Sequence, residues 1–221
     1  MNQYSFTEEN YLKAIYKLSE RDDGKVTTNQ IAEIVKTAAA SVTDMLQKLS
    51  EKKLILYQKY QGVSLTLSGK KIALGVIRKH RLWELFLTSK LGFKWDEVHD
   101  IAEQLEHIQS EKLVQNLDRF LGKPKFDPHG DPIPDENGKF QSQKAFPLSD
   151  AKKTYTLTIT GVIDHHPDFL QYLDKCGLAL GKKIKVQGKT GYDNSMNISF
   201  LNSKQQLFIS FDVAKNILVT L

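Results

Sequence analysis

Cysteine is almost absent from this sequence. One thiol, Cys176, stands among 221 residues, so no internal disulfide forms and a reducing compartment suits the chain. No apolar run approaches the ~18–20 residues of a membrane span. Met1 to Glu9 is polar and acidic, without the basic and apolar blocks of a secretion signal. Together these absences lead us to expect a soluble, cytoplasmic protein with no membrane partner. There is also no His-Glu-x-x-His zinc motif and no paired Glu-x-x-His of a di-iron bundle, which counts against an enzyme. Histidine is missing before position 80 and after position 166.

What is present is an ordinary globular composition, 40% hydrophobic and 26% charged, long enough for two or three small domains. The charge is unevenly spread. Residues 1–81 carry 14 Lys and Arg against 8 Asp and Glu, residues 82–150 carry 8 against 13, and residues 151–221 carry 9 against 5. A basic front ahead of an acidic, histidine-bearing middle suggests a polyanion for one and a cation for the other.

Apolar residues at helical spacing predict a helix over Phe6–Ser19, another near Thr28–Lys36, and a third from about Ala40 to Lys52. Two alternating stretches, Leu54–Tyr57 and Val63–Leu67, form a hairpin across Lys59–Gly62. This order makes a winged helix-turn-helix. A long helix capped by Ser68 runs to about Lys90, followed by helices near Asp96–Ile108 and Ser110–Leu121. Five of six prolines then crowd into 122–152, a linker or crossing loop. From Thr154 the period changes to two, with strands at Tyr155–Thr160, Lys183–Val186, Asn197–Leu201, Leu207–Phe211 and Ile217–Leu221, and a short helix over Pro167–Cys176. The expected fold is α+β, in four parts: a winged helix-turn-helix (1–71), a helical metal-binding and dimerisation domain (72–122), a crossing loop (123–153) and an SH3-like β-barrel (154–221).

The proposed recognition helix opens with small residues. Ala38 and Ala40 permit close approach to a major groove, and their methyls suit thymine methyls. Ser41 and Thr43 have donors for phosphates, and Asp44 is placed to accept from a cytosine amino group. Lys48, Lys53 and Lys59 supply salt-sensitive attraction, and Tyr60 sits at the wing tip.

The histidines carry the second signal. His99, Glu103, Glu106 and His107 fall within about a 100° arc if they share one helix, and His80 with Glu84 is an i, i+4 pair on another. Mixed imidazole and carboxylate groups on helices suit a divalent first-row metal.

Residue blocks in the same order make the chain similar to the diphtheria-toxin-repressor family of metal-dependent transcriptional regulators. They are Tyr11-Leu12-Lys13-Ala14-Ile15-Tyr16, Ile31-Ala32-Glu33, Arg78-Lys79-His80-Arg81-Leu82 with Glu84, Val98-His99-Asp100, Glu103 to His107, and Asp127-Pro128-His129-Gly130-Asp131-Pro132-Ile133-Pro134. The resemblance implies a homodimer that binds a palindromic double-stranded DNA operator when loaded with Fe(II) or Mn(II) and shuts off metal-uptake genes. It implies two metal sites per subunit. One uses Asn10, Glu103, Glu106 and His107, although the family usually has a carboxylate or thioether where Asn10 stands. The manganese branch also has an acid where Lys13 stands, and an ammonium there repels a cation. The other uses His80, Glu84 and His99, with His165 and Asp168, or alternatively Asp164, from the barrel. Asp127 and His129 correspond to a Cys-Pro-His-Gly motif whose cysteine and histidine bind metal in a streptococcal manganese branch. Oxygen and nitrogen donors without thiolate suit Mn(II) and tolerate Fe(II). The competing classes are a metal-independent winged-helix adaptor, recognised by metal-insensitive DNA affinity, and a metalloenzyme, recognised by turnover.

Overall fold

The computed structural model describes residues 4–20, 26–58, 62–153, 155–201 and 206–221. Two compact units make up the chain. One contains Met1–Trp83, Glu103–Phe120 and Pro134–Phe140; the other contains Glu84–Ala102, Leu121–Ile133 and Gln141–Leu221.

The first unit begins with α1, Phe6–Ser19, opened by a capping box in which Ser5 and Glu8 satisfy each other's backbone N–H groups. Glu8 and Glu9 in its first turn favour the positive end of the helix dipole. A second capping box, Thr27 with Gln30, opens α2, Thr28–Ile34. After Lys36, held at φ 50°, comes α3, Ala39–Glu51. Val42, Leu46 and Leu49, at i, i+4 and i+7, are fully buried against Leu12, Ile15 and Ile31. The strands β1, Ile55–Gln58, and β2, Gly62–Leu65, pair antiparallel with Ile55 opposite Leu65. Lys59 and Tyr60 lie outside the described residues.

The long helix α4 spans Leu67–Leu91. Its cap is Thr66, not Ser68: Gly69 N–H donates to Thr66 Oγ1 at 3.1 Å, and Ser68 lies one residue inside the helix. The next helix, α5, is shorter than its sequence pattern, only His99–Leu105. Glu106 and His107 fall in the turn that follows, closed by the Ile108 N–H on the Leu105 carbonyl. Ser110 Oγ accepts from Leu113 N–H at the start of α6, Glu111–Phe120.

The second unit centres on one antiparallel sheet ordered β3-β8-β4-β5-β6-β7. Its strands are β3 Phe146–Pro147, β4 Thr156–Val162, β5 Lys183–Lys189, β6 Met196–Phe200, β7 Gln206–Ile209 and β8 Ile217–Thr220. Period-two burial follows the sequence: Leu157 and Ile159, Ile184 and Val186, and Met196 and Ile198 all face the core. Two expectations change. The strand β3 lies inside the expected crossing loop, where Pro147, lacking an N–H, is tolerated because β3 ends the sheet. The strand expected over Leu207–Phe211 stops at Ile209, because Ser210 caps a one-turn helix α8, Phe211–Ala214. Between β4 and β5 runs α7, Pro167–Cys176, with proline in its first turn and Gly177 at φ 70° ending it. Among the described residues no helix is long and apolar enough to cross a membrane.

Candidate metal centre

The residues expected to serve as ligands form two groups, one in each unit. In the second unit the group is built on the loop 127–131. Asp127 Oδ1 accepts from the backbone N–H of His129 at 2.8 Å and of Asp131 at 3.0 Å, so the carboxylate folds its own loop. Gly130 sits at φ 88°, and a Cβ there would lie 2.1 Å from the Thr160 carbonyl oxygen of β4. Only glycine lets the loop lie this close to the strand, where Val162 N–H donates to the His129 carbonyl at 2.9 Å. The loop thus fixes His129 on the sheet.

His129 is 1% exposed. Its Nε2–H donates to the Trp95 carbonyl at 2.8 Å, and this sets the tautomer. Its Nδ1 is buried without a hydrogen-bond partner among the described residues. Facing it are Glu84 Oε2 at 3.7 Å, too long for a hydrogen bond, and Asp127. Glu84, Asp127 and His129 each bring one donor atom within 4.8 Å of the others, and all three are buried. His99 Nδ1 lies 3.4 Å from the other Glu84 oxygen. Burial pushes the His129 imidazole toward neutrality, but the Glu84 and Asp127 charges outweigh it and raise its pKa to about 9. Two buried carboxylates around an orphaned imidazole nitrogen thus favour a positive charge between them. A hard divalent cation fits this donor set.

His165 stacks on His129 at 4.6 Å between ring centroids, with its Nε2 3.3 Å from the Val162 carbonyl. Burial lowers its pKa, the neighbouring His129 adds to this, and Asp131 and Glu84 oppose it. The structure therefore places His165 as a packing partner of His129's ring. The other residues expected from the barrel lie elsewhere. Asp168 is 90% exposed and 3.7 Å from His166 Nδ1, and Asp164 Oδ1 accepts from His166 N–H, so both serve the start of α7.

The first unit holds the second group. Glu106 (1% exposed) accepts from Lys13 Nζ of α1 with both oxygens, at 2.8 and 2.6 Å. Its Oε2 also meets His80 Nδ1 at 2.6 Å. Glu103, half-exposed, lies 3.6 Å from the same ammonium. His107 Nδ1 bonds Glu9 Oε2 at 2.5 Å, and Glu9 Oε1 accepts from Gln109 Nε2. Phe6 stacks on the His107 ring at 4.7 Å. Burial raises the Glu106 pKa, but the His80 hydrogen bond and the Lys13 charge outweigh it and hold the carboxyl below its ordinary value. Glu9 is held low in the same way by His107 and Gln109.

Two expectations fail here. The single helical arc of His99, Glu103, Glu106 and His107 does not exist, because α5 ends at Leu105. Asn10 points to solvent, and its neighbour Glu9 is the buried residue that meets His107. Sequence reasoning passed over Glu9, although it and Lys13 are an i, i+4 pair that shares one face of α1.

On the expected DNA-reading surface, Ala38, Ala40, Ser41, Asp44 and Lys53 are exposed. The α3 N-terminus has no side-chain cap, and Thr43 Oγ1 turns back onto the Ala39 carbonyl at 3.1 Å. Lys48 is exposed but lies 3.1 Å from buried Glu8, which also binds Lys52 at 2.8 Å.

Known proteins are similar to this chain in sequence and fold. The iron dependent repressor N-terminal DNA binding domain matches residues 4–63. The iron dependent repressor metal binding and dimerisation domain matches 66–135, and a FeoA domain matches 146–221. A solved manganese-dependent transcriptional repressor in complex with manganese is 33% identical, covering 96% of this chain and 99% of that one, with a TM-score of 0.84. The chain belongs to the diphtheria-toxin-repressor family. Within it, the iron-dependent repressor IdeR of Mycobacterium tuberculosis is 34% identical over 134 residues, 61% of this chain and 58% of that protein. The match thus spans little more than half of that relative. The diphtheria toxin repressor of Corynebacterium diphtheriae is 28% identical over 197 residues, 84% of this chain and 86% of its own. The solved repressor ScaR with bound Cd2+ is 33% identical, covering 96% of this chain and 98% of its own, with a TM-score of 0.75. These relatives are repressors, not enzymes.

Proposed function

We propose that this protein is a metal-dependent transcriptional repressor of metal-uptake genes, binding a palindromic operator as a homodimer when a divalent cation is bound. The observation that carries this is the buried Nδ1 of His129, which has no hydrogen-bond partner among the described residues, lies 3.7 Å from Glu84 and is grouped with the Asp127 carboxylate. The proposed ligands are Glu84, His99, Asp127 and His129. A bound cation would supply positive charge that draws these groups together. The Trp95 carbonyl holds the His129 tautomer, and the Asp127–Gly130 turn holds its ring. Oxygen and nitrogen donors without thiolate favour Mn(II) and accept Fe(II). Ala38, Ala40, Ser41 and Asp44 at the uncapped start of α3 read the major groove, with Lys53 contributing phosphate attraction. Residues 1–71 are the DNA reader and 72–122 form the dimer. The loop from 123 carries Asp127 and His129, and the SH3-like part takes in β3.

The test is fluorescence anisotropy with DNA from the gene's own upstream region at one fixed salt concentration. Metal-free protein is compared with Mn(II)-loaded protein and, anaerobically, with Fe(II)-loaded protein. The expected result is tightening of roughly 10-fold or more, in the usual range of allosteric coupling. Binding that ignores both metals would point instead to a metal-independent adaptor.

A further inference from the structure

The group around Glu106 has the residue types of a metal centre, but it does not fit a metal. Its middle already holds a cation. Lys13 reaches in from α1, 6% exposed, with both Glu106 oxygens inside hydrogen-bond distance and Glu103 at 3.6 Å. Glu106 Oε2 is engaged by His80 as well, and the His107 Nδ1 nitrogen is taken by Glu9. A divalent ion sharing these ligands would sit beside a buried like charge, with little water to screen it.

We propose that Lys13 permanently replaces a metal ion in this cluster, so that α1 is bound to the turn after α5 by an internal ion pair, and each subunit holds one regulatory metal, at the His129 group, rather than two. The geometry distinguishes the two groups. In one, the buried imidazole nitrogen has no hydrogen-bond partner among the described residues; in the other, each of the paired atoms named has one. A salt bridge closes the α1 contact at all metal concentrations, so this contact is a fixed part of the DNA-binding unit and not a sensor. The inference rests on the proposed metal centre only for the count of one, and the following variants separate the two claims.

The experiment is the stoichiometry of bound Mn(II), measured by elemental analysis after equilibrium dialysis of the full chain. Wild-type protein is expected to hold one equivalent per subunit. Glu106→Gln, which keeps an oxygen for Lys13, is expected to retain it, and Asp127→Asn is expected to lose it. Lys13→Glu removes the ammonium and adds a carboxylate, and is expected to gain one equivalent. Thermal unfolding without metal checks the lock independently: Lys13→Met is expected to unfold several degrees lower than wild type. Two equivalents in wild type, one of them lost in Glu106→Gln, would overturn the proposal, and so would a Lys13→Glu variant that gains none. No bound metal in wild type, together with one equivalent gained in Lys13→Glu, would support the lock and sink the His129 centre instead.

Discussion

Two clusters of the same residue types have opposite electrostatic states. Around Glu106, two carboxylates, two imidazoles and an ammonium satisfy one another at 2.5 to 2.8 Å. Around His129, the Glu84 carboxylate stands 3.7 Å from an imidazole Nδ1 that has no hydrogen-bond partner among the described residues, and 3.4 Å from His99 Nδ1. The lesson is that ligand-type residues do not by themselves make a metal site. What matters is whether the protein has already supplied the positive charge. One lysine on α1 does so in the first cluster; in the second the charge is a proton on His129, which a bound cation would displace.

The largest expected effect breaks the second cluster alone. Asp127→Ala removes a donor and the turn that positions His129, and should lower Mn(II) affinity by roughly 100-fold or more, beyond the 10- to 100-fold typical of outer-shell losses. Isothermal titration calorimetry measures this. Gly130→Ala follows. It forces a side chain into the Thr160 carbonyl at a positive φ and should cost about 3 kcal/mol by urea denaturation, in the range of overpacking plus left-handed strain.

Acidity and alkalinity separate the clusters next. His129 has a folded pKa of about 9, raised above its ordinary 6.5. Its contribution to the stability of metal-free protein is complete below 6.5 and is lost as pH rises through 9. Glu9 and Glu106 are held low, so their contribution is present above their ordinary 4.5 and is lost as pH falls through their folded values. Denaturation across pH should therefore show two limbs. His129→Gln should flatten only the alkaline one. If Glu106→Gln flattened that limb instead, the assignment of charge to the clusters would be reversed. The smallest effect is Lys48→Ala. Its 52% exposed ammonium pairs with Glu8, so stability should change by less than about 1 kcal/mol in thermal melts.

Much of this was legible in the sequence. The α1 pattern of Tyr11, Leu12, Ile15 and Leu18 gave Phe6–Ser19 to the residue, because a capping box and an apolar stripe are both local. Period-two burial gave most of the sheet for the same reason. The end of α5 was not legible. Helical spacing continues through His107, and the helix stops where tertiary hydrogen bonds draw Glu106 and His107 toward α1. The metal group was half legible. Asp127 and His129 stood out by motif, but the Trp95 carbonyl that fixes the tautomer is a backbone atom, which no side-chain pattern reveals. Glu9 was hidden by the adjacent Asn10, because one residue along a helix turns a side chain by 100°, whereas the Lys13 charge was legible as one that repels a cation.

The most direct measurement is anomalous diffraction at the manganese edge from crystals of the full chain grown with Mn(II). One strong peak per subunit is expected, within bonding distance of His129 Nδ1 and the Glu84 and Asp127 carboxylates, with Lys13 still on Glu106. A peak between Glu106 and His107, with Lys13 displaced, would contradict it.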